Sequence, residues 1–344
     1  MSSLFLFPFA AVQRNINFEL FTCGFAGGTM LFKEINKERK MDELLENLLE
    51  ECRPYTRMGK VASYIPELSK ADREDFGVYI VNSDGKHFTA GDCEKYFTIQ
   101  SVVKPILLLL ALMDNGIERV HSKVGVEATG KPFDAINVTE QSLLSEHINP
   151  MVNMGAIAMC TLIRGGDYEE RFERLLSLTR GLAGNPDIEL NREVYLSEKL
   201  TGNKNRALAY MLKTYGVIED EVDEVLDCYF KACSISVCSK DLAQIAYVLA
   251  NHGKQPGKGR VFPVEYATYV NAVMMTCGMY DGSGEFAVNV GVPAKSGVGG
   301  GIMAVSPTRM GIGIYSPALD EKGNSVAGIQ FLHRLSKRLF LSIF

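Results

Sequence analysis

The sequence predicts a mixed α/β fold, of the α+β kind, in which an antiparallel sheet flanked by helices carries an inserted all-helical lobe. Strand-like runs lie near both ends of the chain, within 77–91 and 301–315. Between them, from 116 to about 249, apolar residues recur at helical spacing. A length of 344 residues is enough for about two lobes. These observations place a helical lobe between the first hairpin of the sheet and its later strands.

The first predicted elements follow residue 40. Residues 41–57 form an amphipathic helix, because leucines recur at helical spacing with acidic residues between them. Residues 76–91 form a hairpin whose tip, Asn82-Ser-Asp-Gly85, is typical of a turn. Residues 100–115 form the next helix, and Gly116 ends it as a C-cap. The helices that follow are separated by short breaks that contain Gly or Pro.

The last hundred residues return to strands. Residues 251–263 are a Gly- and Pro-rich connection, and 264–275 form a helix. Strand-like apolar runs then follow at short spacing, at 286–290, 301–305 and 310–315. Residues 326–341 form a closing helix.

The predicted sheet-containing lobe comprises 41–105 and 250–344, and the predicted helical lobe comprises 106–249. We expect the active site in the cleft between them, since clefts between lobes are common ligand sites. Residues 1–40 are predicted to be a poorly ordered extension. An apolar run at 4–12 has the length of a signal-peptide core, but no Lys or Arg precedes it, so a signal peptide is the weaker alternative.

Composition excludes several classes of function. The formal net charge is −5, and no block of Lys and Arg suggests a nucleic-acid or membrane surface. No apolar run reaches the ~18 residues of a membrane span. The eight cysteines form no C-x-x-C pair and have no His at ligand spacing, so we expect no zinc or other metal site. Scattered cysteines in a long chain favour a reduced, cytoplasmic location.

Ser101 and Lys104 form an S-x-x-K element that runs into the apolar segment 106–113. A lysine three residues after a serine lies on the same helical face. Partial burial lowers the pKa of such a lysine until it can take the serine proton. A helix N-cap is the structural alternative for Ser101, and a surface position is the alternative for Lys104. A second S-x-x-K, Ser83 to Lys86, lies at the predicted hairpin tip, where no cleft is expected.

A second element lies at the end of a strand-like run. Lys295-Ser-Gly297 matches the K-[ST]-G element of penicillin-recognising enzymes, which also use S-x-x-K. There the backbone amide of Val298 is expected to pair with that of Ser101 as an oxyanion hole. The middle element of those enzymes, S-D-N or Y-x-N, is absent, and Asp227-Cys-Tyr229 stands in that region. The missing element argues against a penicillin target.

Five segments, taken in order, resemble the serine-dependent glutaminase family, from about Gly59 to the C-terminus. They are Ala62-Ser-Tyr-Ile-Pro-Glu-Leu68, Gln100-Ser-Val-Val-Lys-Pro105, Asn149-Pro-Met-Val-Asn-Met-Gly-Ala-Ile157, Cys277-Gly-Met-Tyr280 and Pro293-Ala-Lys-Ser-Gly-Val-Gly-Gly-Gly301. The resemblance implies a serine β-lactamase-like fold. It also implies hydrolysis of L-glutamine to L-glutamate and ammonia, without a cofactor, by a homodimer or homotetramer.

The resemblance also implies roles for individual residues. Ser101 matches the nucleophile, Lys104 its general base, and Tyr280 a tyrosine that helps in proton transfer. Val298 matches the oxyanion amide. The substrate-binding set matches Tyr64, Asn153, Glu198, Asn205 and Tyr229, together with Ser101, Tyr280 and Val298. The spacing of Glu198 and Asn205 is that of the family, and the residues between them are of variable types. Capping for Asn153 and core packing for the tyrosines are the structural alternatives.

Two rival functions stay open from the sequence. A penicillin-binding peptidase or β-lactamase would share Ser101, Lys104 and Lys295. It would also be secreted and carry a proper middle element. A non-enzymatic scaffold would keep the fold without depending on Ser101.

Overall fold

The computed structural model describes residues 27–130, 132–135 and 148–344, with side chains from residue 39 onward. Its strands, numbered in chain order, are β1 Gly77–Asn82, β2 His87–Gly91, β3 Phe97–Thr98, β4 Ser236–Val237, β5 Lys254–Gln255, β6 Gly259–Arg260, β7 Ala294–Ser296, β8 Gly301–Ser306 and β9 Met310–Tyr315. Five of these strands form one antiparallel sheet in the order β2-β1-β9-β8-β7. The strands near the two ends of the sequence therefore form one antiparallel sheet, as predicted. They are joined in it by the β1–β9 pair.

The described α-helices are α1 Gly27–Cys52, α2 Lys104–Asn115, α3 Ile117–His121, α4 Asn153–Cys160, α5 Tyr168–Ala183, α6 Arg192–Thr201, α7 Asn203–Thr214, α8 Val222–Cys233, α9 Ser239–Ala250, α10 Val264–Cys277, α11 Ser283–Asn289 and α12 Val326–Leu339. Short 3₁₀ helices occupy Arg53–Met58, Pro66–Lys70, Gln100–Val103 and Tyr280–Gly282. Within the described ranges, no helix combines the length and apolarity that crossing a membrane requires.

One face of the sheet packs directly on α9, because β9 carries glycines where the helix crosses it. A Cβ added to Gly311 would lie 2.1 Å from the backbone nitrogen of Tyr247, and one added to Gly313 would lie 1.9 Å from the carbonyl oxygen of Ser239. The opposite face presents Ile312 and Ile314 to α12 and to the carboxyl-terminal half of α1. The glycines of β9 therefore let α9 approach the sheet closely. Its isoleucines point to the opposite face and fill the apolar layer there.

The helical core surrounds α2, in which every residue from Lys104 to Leu112 is buried. Helices α4, α5 and α10 pack against it. Such an apolar helix has no solvent-facing side. The segment that contains Ser101 therefore begins at the wall of a packed core.

The sequence prediction of a strand at 286–290 is wrong, because these residues belong to α11 and the turn after it. Phe286 and Val290 are buried, but Val288 is 87% exposed. A strand would place all three on one face, whereas helical spacing separates Val288 from the other two. A short apolar run does not distinguish the two structures.

Other predicted elements differ only at their ends. The helix predicted at 41–57 begins at Gly27 as α1, ends at Cys52 and continues as a 3₁₀ turn that contains Pro54. Proline cannot continue the helical hydrogen-bond pattern, which explains the change. The connection at 251–263 contains the small hairpin β5–β6. Residues 1–26 of the predicted extension lie outside the described residues, and the division into two lobes stays a prediction.

Candidate active site

The segment that contains Ser101 enters α2 through the 3₁₀ turn Gln100–Val103. Gln100 has φ 48°, a left-handed conformation that is uncommon for a residue other than glycine. The backbone nitrogen of Ile99, just before the turn, donates a hydrogen bond of 2.8 Å to Ile235. Ser101 is 6% exposed at the start of the turn. A strained backbone at such a position is typical of functional sites and presents Ser101 at the edge of the core.

Lys104, the first residue of α2, is completely buried. Its Nζ donates to Asn153 Oδ1 at 2.7 Å and to the carbonyl oxygen of Met151 at 3.3 Å. Burial, which disfavours the charged form, lowers its pKa from 10.5 to about 8. The predicted base therefore has a pKa near the working range of an enzyme.

Asn153 connects Lys104 with two other predicted substrate-binding residues, Tyr229 and Asn205. Its Oδ1 also accepts a hydrogen bond of 3.2 Å from the Tyr229 hydroxyl, and its Nδ2 donates to Asn205 Oδ1 at 2.9 Å. The start of α4 holds Asn153, and a Cβ added to Gly155 would lie 2.1 Å from the carbonyl oxygen of Asn149. The segment from 149 to 155 therefore needs glycine at that point to fold back on itself.

Glu198 lies on α6 and is buried. Burial raises the pKa of its carboxyl from 4.5 to about 7, while a hydrogen bond with Gln100 and the charge of Lys104 act in the opposite direction. The structure thus brings Glu198 beside the turn that contains Ser101. Gln100 is a residue that sequence reasoning missed, since its left-handed backbone is visible only in the structure.

The Lys295-Ser-Gly element forms β7 and its end, next to the Ser101 turn. A Cβ added to Gly297 would lie 2.9 Å from the carbonyl oxygen of Ile99 and 3.4 Å from the backbone nitrogen of Ser101. Val298 follows directly and is buried. The small residue at 297 allows this close approach, so the amide of Val298 is brought to the same region as the amide of Ser101.

Lys295 is completely buried, and its Nζ donates to the carbonyl oxygens of Gly278 at 2.9 Å and Ser296 at 2.6 Å. Burial, and then the charge of Lys104, hold its pKa well below the ordinary value for lysine. Its Nζ also lies 4.2 Å from the centroid of the Tyr280 ring. The sequence motif identified this residue, but the structure supplies its contact with Tyr280.

Tyr280 opens the 3₁₀ turn Tyr280–Gly282 with φ 54°. Its hydroxyl is buried and has no hydrogen-bond partner among the described residues. Burial raises the pKa of this hydroxyl, and interactions with Ser101 and the amide of Val298 partly oppose the increase. The Phe133 ring lies 4.6 Å away, centroid to centroid. Tyr280 is therefore a protonated phenol beside the candidate nucleophile.

Tyr64 differs from the other predicted residues, because it is 57% exposed. Its hydroxyl nevertheless lies in a buried environment: burial, and then the charges of Glu198 and Tyr280, raise its pKa well above the ordinary value for tyrosine. The other residues of the predicted substrate-binding set lie in the Ser101 turn, on four helices (α4, α6, α7 and α8), in the Tyr280 turn and after the end of β7.

The alternative S-x-x-K element has no such surroundings. Ser83 and Lys86 are exposed in the turn between β1 and β2. Within the described ranges, no group of His, Cys, Asp and Glu side chains could hold a metal ion. The buried serine–lysine pair, the two adjacent amides and the protonated tyrosine together suit acyl transfer through a serine ester.

Comparisons with known proteins find one family along most of the chain. A family model described as glutaminase matches residues 59–344. The glutaminase of Clostridium tetani and glutaminase 2 of Clostridium perfringens are each 55% identical over 305 residues, which cover 88% of this chain and 100% of each relative.

Solved structures give the same result. A probable glutaminase from Bacillus subtilis, complexed with 6-diazo-5-oxo-L-norleucine, is 39% identical with a TM-score of 0.80, over 88% of this chain and 97% of that chain. The covalent complex of the Bacillus subtilis glutaminase YbgJ with 5-oxo-L-norleucine is 38% identical with a TM-score of 0.80, over 88% and 99% of the two chains. These neighbours confirm the predicted serine β-lactamase-like fold class.

Proposed function

The chain belongs to the glutaminase family and is a hydrolase that acts on the amide of glutamine, and from that premise we propose that it forms a γ-glutamyl ester on Ser101 with Lys104 as general base. The observation that carries the proposal is the complete burial of Lys104 on the helical turn that follows Ser101. A buried lysine with a pKa of about 8 is neutral in about one molecule in ten at pH 7 and in about half of the molecules at pH 8.

We propose that Glu198 binds the α-ammonium group of glutamine. Its carboxyl has a pKa of about 7 in the empty site, and an ammonium ion beside it would favour the charged form. Asn153, Asn205, Tyr229 and Tyr64 would hold the carboxylate and the side-chain amide of the substrate. The hydrogen bonds of Asn153 to Lys104, Tyr229 and Asn205 support one continuous polar group for this purpose.

In the acylation step, neutral Lys104 would take the proton of Ser101, and Ser101 Oγ would attack the δ-carbon of glutamine. The amides of Ser101 and Val298 would stabilise the oxyanion, where loss of one donor typically costs about 3 kcal/mol in the barrier. The C–N bond would then break, and the leaving nitrogen would depart as ammonia with a proton from Tyr280 or Lys104. Water would hydrolyse the ester and release glutamate.

Tyr280 suits the role of proton donor because its hydroxyl keeps its proton at neutral pH. Its position beside Ser101 supports transfer to the leaving nitrogen. The absence of a hydrogen-bond partner among the described residues leaves that proton available to a substrate atom.

Labelling with 6-diazo-5-oxo-L-norleucine tests the nucleophile, because this compound is bound in a related structure. We expect one covalent adduct on the peptide that contains Ser101. Ser101→Ala should take up no label, whereas Ser83→Ala, which alters the other S-x-x-K element, should react like the wild type. Ammonia release from glutamine and asparagine should be measured side by side. Near-normal glutamine turnover by Ser101→Ala would refute the mechanism, and labelling by a fluorescent penicillin without ammonia release would favour the penicillin-directed rival.

We also propose, from the resemblance, that the chain assembles as a homodimer or homotetramer in the cytoplasm. Light scattering on the purified chain measures the assembly state directly. A monomer at micromolar concentration would contradict this proposal without affecting the chemistry of Ser101.

A further inference from the structure

A cavity of about 330 Å³ lies behind the Tyr280 turn, between α11, the turn at 320–324 and the start of α12. Met279, Phe286, Val290 and Ile329 supply apolar wall. None of the residues proposed to bind or cleave glutamine lines it. Its volume is sufficient for a small organic molecule.

The charged side chains that line the cavity carry a net negative charge, and the amides of Asn289, Asn324 and Gln330 are neutral. Glu285 and Lys322 form an ion pair of 3.3 Å at the exposed rim, so Asp320 contributes the remaining charge. His333 adds little positive charge, since burial and the charges of Lys337 and Arg334 lower its pKa. Apolar walls with a net negative charge favour a ligand that combines an apolar body with a cationic head.

Asn324 supplies an acceptor that lacks a partner. The side chain is 1% exposed and lines the cavity, and its Oδ1 forms no hydrogen bond among the described residues. Its backbone nitrogen donates to Asp320 Oδ1 at 2.9 Å, so the amide and the carboxylate are held in one turn. A buried acceptor without a partner is destabilising, and a donor on a ligand would offset that cost.

The same turn contacts the catalytic region. Asn324 Nδ2 donates to the carbonyl oxygen of Met279 at 3.3 Å, one residue before Tyr280. A Cβ added to Gly323 would lie 3.5 Å from both the Tyr280 ring and the Val298 side chain. The charge of Asp320 also acts to raise the pKa of the Tyr280 hydroxyl. A cation beside Asp320 would weaken this effect and make Tyr280 a better proton donor.

We propose that this cavity binds a small primary alkylammonium ion, whose head donates to Asn324 and Asp320 and whose body contacts Met279, Phe286 and Ile329. Binding would raise the rate of glutamine hydrolysis through the Tyr280 turn. Only this effect on rate rests on the proposed role of Tyr280. Binding itself is independent of the mechanism at Ser101.

Isothermal titration with n-butylammonium tests the site, and butyltrimethylammonium serves as a probe with the same charge but no N–H donor. We expect saturable binding of the first and at least about tenfold weaker binding of the second, since a hydrogen bond to a charged group is worth that much. Ile329→Phe fills the cavity and should abolish binding. Asn324→Leu should weaken binding about tenfold or more.

Asn271→Leu is the matched control. Asn271 is also a buried amide, which donates to one backbone oxygen at 3.4 Å and has an Oδ1 without a partner among the described residues. Unlike Asn324, it lies outside this cavity. It should bind butylammonium like the wild type. At saturating butylammonium, we expect kcat for glutamine to rise about fivefold in the wild type and to stay constant in Ile329→Phe. Absent binding, or equal binding by Ile329→Phe, would overturn the site. Saturable binding with unchanged kcat would overturn its link to Tyr280.

Discussion

Replacing Lys104 with methionine should remove activity and also remove a pH dependence of stability. Lys104 is completely buried, and burial lowers its pKa from 10.5 to about 8. At about 1.4 kcal/mol for each tenfold change, this difference corresponds to about 3 kcal/mol between the charged and neutral forms in the folded protein. Methionine is similar in size, carries no charge and leaves Asn153 Oδ1 with the hydrogen bond from Tyr229.

The sign of the pH effect follows from the protons bound by each state. An unfolded lysine keeps its proton until pH 10.5, whereas folded Lys104 releases it near pH 8. Between these values the unfolded state binds more protons, so wild-type stability rises with pH. From pH 7 to pH 10 this one group should add about 2–3 kcal/mol to the free energy of unfolding. Lys104→Met should lack that increment, and its kcat/KM should fall by about 10³-fold or more.

Urea unfolding at pH 7 and pH 10 measures the increment as a difference between wild type and variant, so contributions from other groups largely cancel. Lys86→Met makes the same change in the exposed S-x-x-K element, and it should leave both activity and pH dependence unchanged. Equal pH dependence in wild type and Lys104→Met would show that Lys104 is not a buried group with a lowered pKa. Retained turnover in Lys104→Met would refute its role as base.

Three further variants test other parts of the site. Tyr280→Phe should lower kcat by about 10²–10⁴-fold. Its thermal stability should be kept or raised, since the lost hydroxyl has no partner; an unchanged kcat would contradict proton donation. For the wild type, kcat/KM should rise across pH 6–9 as Glu198 ionises near 7 and Lys104 loses its proton near 8. Glu198→Gln should keep only the rise in kcat/KM near pH 8 and should raise KM about tenfold or more. If the rise near pH 7 survived in this variant, it would belong to another group. Gly297→Ala places a Cβ 2.9 Å from the carbonyl oxygen of Ile99, and it should lower kcat for ammonia release about 10²-fold. Gly284→Ala is the control: its Cβ would meet nothing within 4 Å, so kcat should stay unchanged in the same assay.

Much of the fold could be predicted from local pattern. The alternation of Gly and Ile in β9, the apolar run of α2 and the turn residues at 82–85 each point to one structure. The segment at 286–290 could not be assigned in this way. Its burial depends on the neighbouring α12 and the sheet, which are distant in sequence from the prediction window.

The candidate site shows a similar division. Ser101, Lys104 and the Lys295 element were found from residue types and order, because acyl transfer needs a nucleophile, a base and an oxyanion site. Gln100 was missed, since a glutamine gives no sequence sign of a left-handed backbone or of a bond to Glu198. The cavity behind Tyr280 was also missed, because it forms from segments about 40 residues apart.

The sequence by itself determined which groups are available: a serine three residues before a lysine, a glycine after a second lysine, and the segments that resemble glutaminases. Only the tertiary structure decided their chemical state. Lys104, Glu198 and Tyr280 have shifted pKa values because packing removes them from water and places particular charges and amides beside them. Burial and close approach depend on the whole packed chain, so no local pattern contains them.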